Sequence, residues 1–177
     1  MSATAFSRLP LRLASVALLA EIAHLAWEHG HGGILTHHFL RSAAMPGFHN
    51  AWGLLLLPAL AAWAGGRIER RLAAGKRPTG VFVAGLLALT AGLALSGAFL
   101  AGLESVSSVV FFGMLIVALL LPVCRAECWL GLVLGMCFTF GAVIPIVIGG
   151  VITALSALVH LGLKPVVLRG WTALRRN

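Results

Sequence analysis

The side chains best suited to chemistry are gathered in one short stretch of the sequence, where carboxylates and imidazoles alternate. Six of the seven histidines lie between His24 and His49. Four ionisable residues follow one another at intervals of three, four and three positions: Glu21, His24, Glu28 and His31. On an α-helix these positions fall within an arc of roughly 80° and extend over about 15 Å. A helix that continues to His31 therefore presents two carboxylates and two imidazoles on one face.

Glu21 and His24 are the pair whose position most needs an explanation. They lie inside an apolar stretch, where an ionisable side chain is costly unless it has a partner. Such a pair inside a membrane span predicts a functional site. The alternative is a structural pair, in which the two side chains bond to each other or to the neighbouring backbone.

Imidazole and carboxylate together are the ligand set that suits Zn, Fe, Ni and Cu(II). A helix that supplies Glu-x-x-His is also how carboxylate-bridged metal sites are built in helical bundles. The predicted ligands of a divalent transition metal are Glu21, His24, Glu28, His31, His37, His38 and His49. In a catalytic version Glu28 is the predicted general base. Alternatively the loop histidines are solvated, and His37 and His38 lie at the lipid headgroups.

Two further residues are candidates for binding a substrate or relaying protons. Arg41 is the lone cation near the histidines and is suited to an anionic substrate or a lipid phosphate. His160 lies within the last apolar stretch, where it is a candidate proton relay, haem or metal ligand, or partner of Glu21. The alternatives are a surface role for Arg41 and, for His160, a hydrogen bond to a backbone carbonyl or to Ser156.

Known catalytic motifs do not resolve the chemistry. The segment His24-x-x-x-Glu28-His29 is one residue too long for the inverted zinc-protease pattern. No phosphate-binding loop, dinucleotide fingerprint or nucleophile elbow occurs in the sequence. The sequence is therefore consistent with an enzyme and with a membrane protein that has no catalytic activity.

The elements that must position these residues are membrane helices. The chain is 60% hydrophobic and only 10% charged, with a mean hydropathy of +1.01, whereas soluble domains carry roughly 25% charged residues. The sequence predicts one all-α domain, a polytopic transmembrane helical bundle of six spans with a histidine-rich outer loop over 29–50. The predicted spans are 10–28, 51–65, 80–102, 106–123, 128–146 and 149–168. Pro145 and the pair Gly149-Gly150 are the turn signals expected to separate the last two.

The distribution of basic residues predicts the orientation. With six spans, twelve of the thirteen lysines and arginines fall on one side and only Arg41 falls on the other. The positive-inside rule then places both termini in the cytoplasm. Because these residues lie in short segments between apolar stretches, the net charge of +8 does not indicate nucleic acid. The apolar N-terminal stretch continues through Trp27, so we expect a first span there and no cleaved signal peptide. The Ala, Leu and Arg usage suggests a bacterial inner membrane.

Small residues recur on two predicted spans at helical spacing. They occupy every fourth position of the third span, at Ala84, Ala88, Gly92 and Ser96, and recur in the fifth at Gly131 and Gly135. Such positions allow helix backbones to approach closely, either within the chain or with another membrane subunit or a second copy. The alternative is apolar filler without a packing role.

Three functions are consistent with these patterns. The first is a metal-dependent membrane protein whose outer site serves catalysis or metal handling. The second is a proton-linked binding or transport module that uses Glu21 and His24 without metal. The third is a structural or assembly subunit of a membrane complex.

Overall fold

The computed structural model describes residues 8–38 and 47–166, and most of these residues are helical. Six α-helices follow in order: α1 (Leu9–Gly30), α2 (Gly53–Ala73), α3 (Pro78–Leu100), α4 (Glu104–Leu120), α5 (Ala126–Phe140) and α6 (Val143–Ala157). A π-helical segment, Leu158–Leu163, continues α6. Between α1 and α2 lie two short antiparallel strands, β1 (Thr36–His38) and β2 (Gly47–His49), and a 3₁₀ turn, Asn50–Trp52. The helical class was predicted, but this hairpin was not.

Four helical stretches are long and apolar enough to cross a membrane: Leu9–Gly30, Asn50–Ala73, Pro78–Leu100 and Val143–Val166. The helices α4 and α5 are apolar but shorter, with 17 and 15 residues. Large apolar side chains cover the outside of the bundle; Phe82 and Val109, for example, are each 71% exposed. A surface of this kind requires lipid around it, and the chain is a helical membrane protein.

Contacts between helix ends define two ends of the bundle. Leu9 N donates to Glu69 Oε1 at 3.4 Å, which joins the start of α1 to the end of α2. Arg71, also near the end of α2, forms an ion pair with the buried Glu127 in the first turn of α5. We call this the basic end. The opposite end, where α1 runs into the hairpin, is the histidine end.

Three of the predicted small-residue positions, Gly92, Ser96 and Gly135, form a close contact between α3 and α5. A Cβ added at Gly92 would lie 2.6 Å from Leu132 O, and one at Gly135 would lie 2.9 Å from Gly92 Cα. Ser96 Oγ donates to Gly135 O at 2.9 Å across the same contact. Backbones this close leave no room for larger side chains, so these residues pack helices inside one chain.

The turn between the last two helices is not where the sequence suggested. Pro145, Gly149 and Gly150 all lie inside α6, and the turn is at Gly141, whose φ is +68°. Pro145 is tolerated because it lies in the first turn of α6, where its missing N–H is not needed. Gly149 provides room for Trp129, since a Cβ there would lie 2.7 Å from its ring.

Candidate functional site

The centre of the candidate site is an imidazole held between two carboxylates on α1. His24 Nδ1 lies 3.5 Å from Glu21 Oε2, and His24 Nε2 lies 3.4 Å from Glu28 Oε1. Glu21 and Glu28 are each only 3% exposed. The three side chains therefore face the interior of the bundle and not the lipid, as a functional or structural polar cluster requires. We call these three residues the Glu–His–Glu group.

Glu28 attaches α1 to the loop and to the start of α2. Its Oε1 accepts a hydrogen bond of 2.6 Å from Asn50 Nδ2, and its Oε2 accepts one of 3.2 Å from Leu35 N. Asn50 is itself buried, and its N–H donates to Leu35 O at 3.0 Å. Both oxygens of Glu28 already accept hydrogen bonds, and this geometry does not favour a general base. The catalytic role of Glu28 stays a prediction.

Two glycines make room for the polar side chains. A Cβ added at Gly53, the first residue of α2, would overlap the Glu21 carboxylate. One added at Gly141 would overlap Asn50 Oδ1 and lie 3.1 Å from His37 Cδ2. The cluster is therefore bounded by α1, the start of α2, the hairpin and the α5–α6 turn.

His37 reaches the edge of the same cluster from β1. Its Nε2 is buried and has no hydrogen-bond partner in the described part of the chain. Burial lowers the pKa of His37; the Glu28 charge opposes this shift and the His24 charge reinforces it. The neutral imidazole is therefore favoured, with a nitrogen free to accept a proton or to bind a cation.

Aromatic rings cover the Glu–His–Glu group on the side of α5. The ring of Phe138 lies 4.9 Å from that of His24 and 5.5 Å from that of Trp27, measured between centroids. Cys137, the preceding residue, is close enough to Glu21 for their charges to interact. The group is thus separated from lipid by packed side chains.

Two predicted ligands do not join the cluster. The helix ends at Gly30, and positive φ values of 124° and 104° at Gly32 and Gly33 turn the chain away. His31 is therefore exposed; its Nδ1 donates to Trp27 O at 2.8 Å and its ring stacks on Trp27. His49 is also exposed, because its Nδ1 caps the 3₁₀ turn by accepting a hydrogen bond from Ala51 N at 3.3 Å.

Three other predicted site residues lie far from the cluster or outside the described residues. The backbone of His38 belongs to β1, but its side chain lies outside the described residues, as does the whole of Arg41. His160 lies in the π-helical segment, about 25 Å along the helix from Val143 at the histidine end. It is therefore not the partner of Glu21. Ser156 does not hold it either, since its hydroxyl bonds to Leu121 O and Val123 N, both at 3.1 Å.

Asn50, Gly53 and Gly141 contribute to the site without having been predicted. Asn50 had a usable signal, because it is an amide at the last position of the histidine-rich loop, directly before the predicted second span. Gly53 and Gly141 had no such signal, because only the folded structure shows which side chain packs against each glycine.

The described residues contain no group of three or more His, Cys, Asp or Glu side chains arranged to hold a metal ion. His24 Nε2, like His37 Nε2, is buried without a hydrogen-bond partner among the described residues. A metal bound here would need a ligand in addition to the Glu–His–Glu group.

Compared with known proteins, the chain matches no protein-family model, no curated protein sequence and no solved structure.

Proposed function

We propose that this protein binds and releases protons at the Glu–His–Glu group, as the proton-linked part of a membrane binding or transport module. The observation that carries the proposal is the position of His24, whose two ring nitrogens lie 3.5 Å and 3.4 Å from carboxylates on either side. An imidazole placed in this way can share a proton with Glu21 and, by exchanging its tautomers, can carry its own proton on either ring nitrogen.

The charge of the group supports the same function. With both carboxylates ionised and His24 neutral, two negative charges lie buried within a membrane helix. A bound proton reduces this buried charge, which is the physical basis of the proposal. The other titratable side chains facing it are His37 from the hairpin and Cys137 from α5.

A purely structural role explains only half of the arrangement. Glu28 has clear structural partners in Asn50 and Leu35. Within the described part of the chain, Glu21 has a single hydrogen bond, the long one to His24, although it is just as buried. A carboxylate kept with so little compensation is typical of a functional position and not of an anchor.

The proposed setting is a bacterial inner membrane, crossed six times, with both termini in the cytoplasm. It is supported by Arg71, Lys76, Arg77 and Arg125, which all lie at or beside the basic end, whereas the histidine end has no lysine or arginine among the described residues. The positive-inside rule then directs the histidine end outward. The Glu–His–Glu group would exchange protons with the outer compartment.

Infrared difference spectroscopy of the purified full chain tests this function. Between about pH 5 and 8, the wild type should show a carboxylic-acid carbonyl band that is lost in Glu21→Gln and shifted in His24→Gln. Glu104→Gln is the matched control, because Glu104 is exposed at the start of α4. Identical spectra for wild type and Glu21→Gln would contradict the proposal.

A second candidate, a transition-metal site, is favoured by the free imidazole nitrogens. Two donors at about 2.1 Å from a tetrahedral Zn²⁺ lie about 3.4 Å apart, which is the separation of His24 Nε2 and Glu28 Oε1. His37 Nε2, buried and unpartnered in the described ranges, is a further candidate donor at the edge of the same cluster.

Elemental analysis of protein purified without added metal separates the two candidates. One equivalent of metal in the wild type, lost in His24→Ala and kept in His29→Ala, would establish the metal site and replace the proton proposal. His29 is a suitable control because it is exposed on the same helix turn. Substoichiometric metal in all three proteins would exclude this candidate.

A further inference from the structure

A large cavity lies apart from the Glu–His–Glu group, between α4 and the helices behind it. Its volume is about 530 Å³. The lining is almost entirely apolar and comes from α3, α4, α5, α6 and the linker between α4 and α5; representative side chains are Leu87, Met114, Val117, Leu132 and Ile152. Along α4 the cavity extends from Val110 to Leu121, a length of about 16 Å.

Among the described residues, Arg125 is the one charged side chain that lines the cavity. It immediately precedes α5 at the basic end, which is where a membrane helix meets the headgroups. Among the described residues Arg125 forms no ion pair, whereas Arg71 nearby is paired with Glu127. An unpaired cation at the headgroup level therefore lies at one end of an apolar space that runs into the bilayer.

We propose that this cavity is a specific site for a phospholipid with an anionic headgroup. One acyl chain lies in the apolar space, and the phosphate and headgroup charge pair with Arg125. The size and apolar lining fit a hydrocarbon chain, and the lone cation supplies complementary charge. Neither feature depends on the function proposed for the Glu–His–Glu group.

The linker that bears Arg125 is held in place, so the site is formed in advance. Ser156 Oγ donates to Leu121 O and accepts from Val123 N, which fixes the linker against α6. Trp129, another lining residue, is fixed by its hydrogen bond to Ile146 O at 3.3 Å. Its indole ring is a built-in fluorescent probe of the cavity.

The test uses the full chain in bilayers that contain a minor fraction of lipid with brominated acyl chains, which quench nearby indoles. Wild-type fluorescence is measured in phosphatidylcholine bilayers that contain brominated phosphatidylglycerol. It is then measured in phosphatidylglycerol bilayers that contain brominated phosphatidylcholine, and the two values are compared. The signal of Trp129 is identified by its loss in Trp129→Phe. Quenching of Trp129 should favour the anionic lipid roughly fivefold, the preference expected from one interfacial arginine.

Two variants and a control make the test specific. Arg125→Gln should remove the preference for phosphatidylglycerol, and Gly113→Leu should weaken the quenching of Trp129 by occupying part of the cavity. A Cβ at Gly113 meets nothing within 4 Å, so this variant should fold. Gly97→Leu is the matched control, since Gly97 has the same free space but does not line the cavity.

Three outcomes would overturn the proposal. Equal quenching of wild-type Trp129 by the two brominated lipids would show that no anionic lipid is selected. Unchanged quenching in Gly113→Leu would show that the lipid lies outside the cavity. A change of oligomeric state in Gly113→Leu, but not in Gly97→Leu, would assign the cavity to a second copy of the chain.

Discussion

Glu21 and Glu28 are the same residue type, seven positions apart on one helix, yet they have different surroundings. Glu28 accepts hydrogen bonds from Asn50 and Leu35 as well as facing His24. Glu21 faces His24 and the bare backbone of Gly53. Glu28 is therefore expected to affect folding, and Glu21 is expected to affect proton binding.

Replacing Asn50 tests the structural half of this division. Asn50→Ala removes the donor to Glu28 Oε1 and should lower the free energy of unfolding by about 1–3 kcal/mol. Denaturation of the purified chain in mixed detergent micelles measures the loss. Thr90→Ala is the control, because Thr90 is exposed and bonds only within its own helix turn. Equal stability of the two variants would show that Asn50 does not hold Glu28 in place.

A methyl group at Gly53 tests how closely Glu21 is packed. Gly53→Ala should displace the Glu21 carboxylate and destabilise the chain by about 1–3 kcal/mol, the usual cost of overpacking. The double variant Gly53→Ala/Glu21→Ala should recover most of that loss, since the two residues are in contact. Gly97→Ala, where the added group meets nothing within 4 Å, should not be destabilised. Additive effects in the double variant would contradict the packing.

The sequence predicted the core of the site but not its boundary. Glu21, His24 and Glu28 share a face because helical spacing depends only on position along the chain. The same spacing argument was wrong for His31, because the helix ends at Gly30 and the chain turns away at Gly32 and Gly33. Asn50 and Gly141 join through contacts between distant segments, which local spacing does not encode.

At the scale of helices, the contact of α3 with α5 has little tolerance for side-chain volume. Gly135→Leu would force a side chain between backbones, since a Cβ there already lies 2.8 Å from Leu93 N and 2.9 Å from Gly92 Cα. We expect at least the roughly 1–3 kcal/mol cost of overpacking, measured by the same detergent denaturation. Gly97→Leu, on the exposed side of α3, should remain near wild type. Comparable stability of the two leucine variants would contradict the packing.

Hydropathy located the helices well and their connections poorly. The predicted spans 10–28 and 80–102 overlap α1 and α3 closely. The second helix extends to Ala73, far beyond the predicted limit at residue 65, because its charged last turns continue past the apolar part. Pro145 marked a helix start and not a turn, an ambiguity that only the position of Gly141 resolves.

At the scale of the whole molecule, the proposed orientation predicts which residues the outer solution reaches. In a chain whose three cysteines are replaced by alanine, His31→Cys should react with a membrane-impermeant maleimide added outside intact cells. Lys76→Cys, exposed between α2 and α3, should react only after permeabilisation. The opposite pattern would invert the orientation, and labelling of both from outside would contradict the positive-inside assignment.

The length of α5 affects the bilayer as well as the bundle. Its 15 residues extend about 22 Å, whereas the hydrocarbon core of a typical bilayer is about 30 Å thick. The turn at Gly141 therefore lies below the level that a full span reaches, and Asn50 of the 3₁₀ turn and His37 of the hairpin lie against it. We expect the lipids to thin around this side of the molecule, as hydrophobic mismatch requires. The resulting dip in the leaflet would shorten the path from bulk water to the buried carboxylates.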